Sequence, residues 1–147
     1  MTQAIAGGII FAIIMIIIAR ANRKKSYKYN AAAINEMDGH DFEEYCARLL
    51  EINGFRNVRT TQKSGDRGID ILCEKNGETY AIQCKRHSGK ISRKAVQEAY
   101  TGMAIYQCDI GAILTNSDFA QSAINDANDL GIKLWNGTHL RNMHTVK

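Results

Sequence analysis

GDRGIDILCEKNGETYAIQCKR, residues 65–86, decides how this chain folds, because it holds a hairpin whose register can be counted. Asn76-Gly77 between two runs of β-forming residues is the strongest short-range sign of a two-residue reversal. Lys75 and Glu78 then close the turn, Glu74 meets Thr79, Leu72 meets Ala81, and Asp70 meets Gln83 with Cβ atoms roughly 4.5–5.5 Å apart. Lys85 lies two residues beyond Gln83 and points from the same face. The opposite face reads Ile69, Ile71 and Cys73 against Tyr80, Ile82 and Cys84, an apolar set that belongs to a core. A slip of one residue would drive Asp70 and Lys85 among the isoleucines, so the register is well specified. An acid, an amide and an ammonium are thus expected at one end of one sheet face.

The plainest account of that trio is an Asp70–Lys85 salt bridge on a half-exposed sheet edge. Three features point further. Gly65 and Gly68 keep the backbone open ahead of Asp70, where a phosphate could approach. Residues 52–97 carry ten cations and four acids, whereas residues 31–51 carry one cation and six acids. A basic block around this hairpin is where a phosphate-binding surface would lie, although a merely solvated basic face fits the charges too. Finally, Glu43 and Glu44 stand on a preceding helix that must pack on this sheet, and either could add a carboxylate.

Outward from the hairpin, DGHDFEEYCARLLEINGF spaces Phe42, Tyr45, Cys46, Leu49, Leu50 and Ile52 as a helix, with Asp38 or Asp41 to cap it and Gly54 to end it. FRNVRTT reads as a strand. SRKAVQEAYTGMAIYQC reads as a helix resting on Val96, Tyr100, Met103 and Ile105. IGAILTN is a strand apolar on both faces, DFAQSAINDANDLG a capped helix ending at Gly131, IKLWN a short strand, and GTHLRNM a last helical turn. Trp135 and Tyr100 read as core residues. The order α-β-β-β-α-β-α-β predicts an α/β fold, a mixed β-sheet flanked by helices.

The net charge of +4 is no general argument for nucleic acid. Residues 1–28 carry five cations and no acid, and the rest of the chain is close to neutral. Cys46, Cys73, Cys84 and Cys108 lack metal-binding spacing and sit among apolar neighbours, which argues against a zinc site or a disulfide framework.

At the N-terminus, AIAGGIIFAIIMIIIA, residues 4–19, has no charge and is followed at once by RANRKK. Sixteen helical residues span roughly 24 Å, and a snorkelling Arg20 extends the reach. Cations only on the C-terminal side predict a single-pass anchor with the domain in the cytoplasm. The competing reading is a cleaved secretory signal, since Ala19-Arg20-Ala21 offers small residues at a cleavage spacing. The chain therefore divides into a transmembrane anchor at 1–20, a basic juxtamembrane segment and linker at 21–37, and a folded domain at 38–147.

DFEEYCARLLEINGF, SGDRGIDI, AIQCKR, ILTNSDFAQSA and IKLWNGTHL, taken in this order, resemble the Mrr-like family of type IV restriction endonucleases within the PD-(D/E)XK nuclease superfamily. The likeness runs through most of residues 38–140. It implies a restriction-endonuclease-like core and hydrolysis of DNA phosphodiester bonds, foreign or modified DNA being the expected substrate. Asp70 would be the motif's acid, Gln83 would stand at its second acidic position, Lys85 would be its lysine, and Glu43 its helical glutamate, with Glu44 the neighbouring alternative. Asp70, Gln83 and the Cys84 backbone carbonyl would hold Mg²⁺, or Mn²⁺ in its place. Lys63, Ser64, Arg67, Arg86, Lys90, Arg93 and Lys94 would face the DNA, and cutting both strands would favour a homodimer. A non-catalytic DNA-binding module tethered to the membrane is the alternative, and a junction- or RNA-directed nuclease a third.

Overall fold

The computed structural model describes residues 29–61 and 68–145. Its centre is the hairpin of β2 (Ile71–Lys75) and β3 (Glu78–Lys85). Asn76 and Gly77 both take positive φ, 55° and 83°, the backbone that a tight reversal of twisted strands requires. The ladder pairs Ile71 with Ile82, Leu72 with Ala81, Cys73 with Tyr80 and Glu74 with Thr79, as the turn predicts.

The expected register fails at one residue. The Asp70 N–H donates to the Ile82 carbonyl at 2.9 Å, although Ile82 is already the ladder partner of Ile71. Two residues therefore face one, and Asp70 is displaced from its place opposite Gln83. The cause is local: Asp70 stays paired to the preceding strand, its carbonyl accepting from Thr61 N–H at 2.9 Å, while its carboxylate caps the backbone of β3.

β1 (Arg56–Thr60) adds antiparallel to β2, and β4 (Ile110–Thr115) and β5 (Lys133–Trp135) add parallel beyond β3, giving a mixed sheet in the order β1-β2-β3-β4-β5. The parallel strands are joined by α3 (Arg93–Tyr106) and α4 (Gln121–Leu130). On the other face lie α1 (Ala31–Glu36), α2 (Gly39–Ile52) and α5 (Gly137–Asn142). Each face has its own core. Phe42, Cys46 and Leu50 of α2 meet Ile71, Ile82, Cys84 and Leu114, while Ala95, Val96 and Ala99 of α3 meet Ile113, Ala123 and Ala127. β4 is buried on both sides, as its apolar run requires.

Three expectations change. Residues 31–36, read as part of the linker, form α1: Asn30 caps it through Ala33 N–H at 3.2 Å and Ile34 is buried in the core. α3 turns Val96 and Met103 inward as expected, but not Tyr100 or Ile105. Ala95, Val96, Ala99 and Gly102 are buried, whereas Tyr100 and Ile105 are each 42% exposed, because small side chains bring a helix closer to a sheet than large ones. α4 starts at Ala120 with no side-chain cap, since Asp118 accepts instead from Asn136 Nδ2 at 2.8 Å. The other helix predictions hold: Asp38 caps α2 through Asp41 N–H at 2.8 Å, and Gly54 follows it with φ of 84°. Trp135 packs with Phe55 and Tyr80, and Cys46, Cys73 and Cys84 are buried while Cys108 is half-buried. Residues 1–28, with the expected membrane span, lie outside the described residues. Among the described residues no helix is long and apolar enough to cross a membrane.

Candidate active site

Asp70 enters the site through the backbone. Its carboxylate accepts the Cys84 N–H at 2.6 Å. Alternation along β3 turns the Cys84 N–H and C=O toward the β2 side, as it turns those of Ile82. The displaced Asp70 thus fills the rung that β2 leaves open, beside the Cys84 carbonyl. The Cys84 side chain points the other way, into the α2 core. A hydrogen bond with Cys46, burial, and the nearby negative charges of Asp70 and Glu43 hold its thiol well above the ordinary range. The thiol lies in the core, on the face away from Gln83 and Lys85.

Gln83 and Lys85 project from the opposite face, toward α3. Gln83 is 1% exposed, and its Nε2 donates to Glu98 Oε2 at 3.1 Å. Its Oε1 is fully buried and accepts no hydrogen bond among the described residues. Lys85 Nζ lies 3.5 Å from the same Glu98 oxygen, and Lys94 Nζ lies 3.8 Å from the other. Partial burial works to raise the Glu98 carboxyl. The Gln83 amide and the Lys85 and Lys94 ammonium groups outweigh it and hold Glu98 below the usual carboxylate range. Gly68, with φ of 80°, closes over this group: a Cβ there would stand 3.3 Å from Gln83 Nε2 and 3.4 Å from Glu98 Cβ.

The two glutamates of α2 diverge. Glu43 is largely buried, 21% exposed at its side chain, and lies close enough to Cys84 to act on its thiol. Glu44 is half exposed and pairs with Arg48 at 3.3 Å. Of the two, Glu43 is the one whose charge acts on the Cys84 thiol.

The exit of β3 is held from β4. Thr115 is buried and its Oγ1 donates to the Lys85 carbonyl at 2.5 Å, while Asn116 Oδ1 accepts the His87 N–H at 2.8 Å. Neither residue was singled out from the sequence; the signal was a polar pair closing an apolar strand, ILTN. The sequence does not mark Glu98 either. At 100° per residue Tyr100 lies about 200° round from Glu98, so a helix with Tyr100 inward turns the glutamate to solvent.

The expected DNA-facing residues separate. Arg86 Nη1 donates to the Asn35 carbonyl at 3.0 Å, tying the strand exit to α1. Arg93 makes a bidentate pair with Asp126, at 3.0 and 2.9 Å, and so joins α3 to α4 rather than offering a free guanidinium. Lys90 is exposed, and Lys94 is 81% exposed at its side chain. Lys63, Ser64 and Arg67 lie outside the described residues.

A metal can be tested against this group. Among the described residues no three His, Cys, Asp or Glu side chains cluster as a ligand set. The candidate donors are of another kind: one carboxylate, one backbone carbonyl, and a buried amide oxygen that lacks a hydrogen-bond partner. All are oxygen, the chemistry that Mg²⁺ and Mn²⁺ prefer. An unpartnered buried acceptor is costly, and a cation beside it would remove the cost, so the residues fit such an ion.

The chain is 32% identical over 96 residues to an uncharacterized protein of Archaeoglobus fulgidus, covering 60% of this chain and 55% of that protein. It thus spans little more than half the length of that relative. Its fold is similar to that of the DNA modification-dependent restriction endonuclease AspBHI, with a TM-score of 0.58 and 14% identity over 84% of this chain and 37% of that one. It is also similar to the restriction endonuclease MspJI, solved in complex with a 27-mer oligonucleotide, with a TM-score of 0.51 and 18% identity over 69% of this chain and 26% of that one. At such identities the likeness is one of fold. Sequence carries the family: the Restriction endonuclease model Mrr_cat matches residues 34–144, from the α1 residue Ile34 to beyond α5, and the chain belongs to that family.

Proposed function

We propose that the folded domain is a divalent-metal-dependent endodeoxyribonuclease that cuts foreign or modified DNA, tethered to the cytoplasmic face of a membrane through residues 4–19. The observation that carries the reading is the buried Gln83 Oε1, unpartnered among the described residues, on the strand whose next backbone unit is already engaged by Asp70. Asp70, the Gln83 amide oxygen and the Cys84 carbonyl would hold Mg²⁺ or Mn²⁺. When bound, the ion would polarise the scissile phosphate and offset the charge that builds on its oxygens. Lys85 would orient the attacking water and place an ammonium against the same developing charge. Glu43, partly shielded on α2, would hold a further water by hydrogen bonding. Exposed Lys90 and Lys94 would receive the phosphate backbone, a contact of charge that reads no sequence. The modification-dependent activity named for AspBHI and the oligonucleotide bound to MspJI support DNA, and modified DNA in particular, as substrate. The uncharged run at 4–19 with its trailing cations supports the anchor.

The test is a cleavage panel of methylated and unmethylated duplexes with Mg²⁺ or Mn²⁺, run beside Lys85→Ala. The expected result is nicking of at least one duplex form, reduced about 100-fold or more by the substitution. Equal cleavage by both proteins removes the mechanism. DNA binding that survives Asp70→Asn and Lys85→Ala, with no duplex cut, leaves the domain a binding module. Chain that stays soluble after lysis with its N-terminus intact removes the anchor.

A further inference from the structure

Position 83 poses a question that the proposed chemistry does not answer: a carboxylate would hold a cation better than an amide, yet the chain carries Gln83. We propose that Glu98 is a positioning residue of the site, turning the Gln83 amide so that its carbonyl oxygen is offered to the metal and supplying from α3 the negative charge that position 83 lacks. The proposal rests on the nuclease reading above and deepens it.

Gln83 is shut off from water, so its amide must find partners within the protein. Two orientations exist, related by a half-turn of the amide. One donates Nε2–H to Glu98 at 3.1 Å. The other would set carbonyl oxygen against carboxylate oxygen at the same distance, with no proton between them. The ionised glutamate therefore selects the first and leaves Oε1 turned from the carboxylate, buried and without a partner among the described residues.

The same Glu98 oxygen stands 3.5 Å from Lys85 Nζ, and the other faces Lys94. One carboxylate thus fixes the amide and steadies the ammonium of the site together. It is itself fixed. α3 can bring Glu98 this close because Ala95 and Ala99 beside it are small and buried, and Gly68 packs on both Gln83 Nε2 and Glu98 Cβ, where a Cβ would be crowded at 3.3 and 3.4 Å. Amide and carboxylate form a matched donor–acceptor pair, and the match explains why position 83 is not an acid. A carboxylate there would meet the one already on α3.

This makes the two positions interdependent in a way that simple loss of packing would not. Gln83→Glu adds the charge that should favour a cation but sets two carboxylates together, so alone it is expected to impair the site. Glu98→Gln frees the amide to turn and is expected to impair it too. Together they restore the match with donor and acceptor exchanged. The experiment uses the full chain and its four forms: wild type, Gln83→Glu, Glu98→Gln and the double variant. Mn²⁺ alone is the probe, its binding followed by calorimetry beside thermal melting, with plasmid nicking as a separate readout and Asp70→Asn to identify the site.

Each single variant is expected to weaken Asp70-dependent Mn²⁺ binding about 10- to 100-fold, the usual loss when the partner of a ligand is removed. The double variant is expected to bind more tightly than either single, by about tenfold or more. A double variant no better than the worse single, with losses that follow melting temperature, overturns the proposal. So does unchanged binding in Glu98→Gln. If wild type cuts DNA, Lys85→Ala does not, and Glu98→Gln cuts at the wild-type metal requirement, the positioning role falls while the nuclease stands. If the exchange restores Mn²⁺ binding and no form cuts any DNA, the positioning role stands and the nuclease falls. No Asp70-dependent binding in wild type removes both.

Discussion

Gly68 and Arg93, both within the basic block, play different parts: one packs on the site and the other holds two helices together. Gly68 holds φ at 80° against the Gln83–Glu98 pair, so Gly68→Ala meets both a backbone penalty and a contact at 3.3 Å. A loss of about 1–2 kcal/mol in denaturant unfolding is expected, with cleavage reduced by more than that loss explains, because the displaced group is the amide itself. Arg93, in its bidentate pair with Asp126, is a structural cation, whereas Lys90 is exposed. Lys90→Ala is therefore expected to lower the slope of log affinity for DNA against log salt by about 0.9, the value of one phosphate contact. Arg93→Ala should leave that slope unchanged and cost at most about 1 kcal/mol of stability, since the pair is largely exposed on the arginine side. Salt titrations of DNA binding for the two variants separate the roles.

At the scale of elements, the hairpin and α1 present opposite cases. Asn76-Gly77 dictates its own geometry, because few residues accept positive φ at both turn positions. α1 is six residues long, too short to persist alone, and holds only through what it touches. Ile34 is 2% exposed against the α2 core, and the Asn35 carbonyl receives Arg86. Ile34→Ala should consequently cost about 2–5 kcal/mol, as removal of a core isoleucine does. An unchanged urea midpoint would return residues 31–36 to the linker. α3 teaches a related lesson: Ala95, Ala99 and Gly102 bring it close enough for Glu98 to reach Gln83, and its larger residues are left outside.

The whole molecule buries thiols on both strands of its hairpin, and this sets its behaviour in alkali. Burial, with lesser contributions from Cys108 and Glu74, pushes the Cys73 thiol up to about 12 from 9.0, and Cys84 is raised as well. The folded state keeps protons that the unfolded chain gives up, so this stability is complete below pH 9.0 and is lost as pH rises toward 12. Cys73 contributes a fall of at most about 1.4 kcal/mol per pH unit in that window. Urea unfolding at pH 8 and pH 10 should show the decline, and Cys73→Ala should show a smaller one. An equal decline in the variant would mean that the thiol carries none of it.

The sequence by itself determined the hairpin register from Lys75 to Ile71, a helix capped at Asp38 or Asp41 and ended at Gly54, the two-sided burial of β4, the mixed sheet and the family. These rest on turn geometry, on apolar period and on short motifs, all of which act over a few residues. Only the tertiary structure decided that Asp70 leaves the ladder to cap Cys84, that Gln83 points its amide at Glu98, and that Arg93 is spent on Asp126. It also left Glu43 the more buried of the two α2 glutamates and paired Glu44 with Arg48. Asp70 is drawn off by its own hydrogen bonds to Thr61, Ile82 and Cys84. The other three depend on how far apart and at what rotation two elements pack, and that is set by the volume of side chains distant in sequence, which no local pattern records.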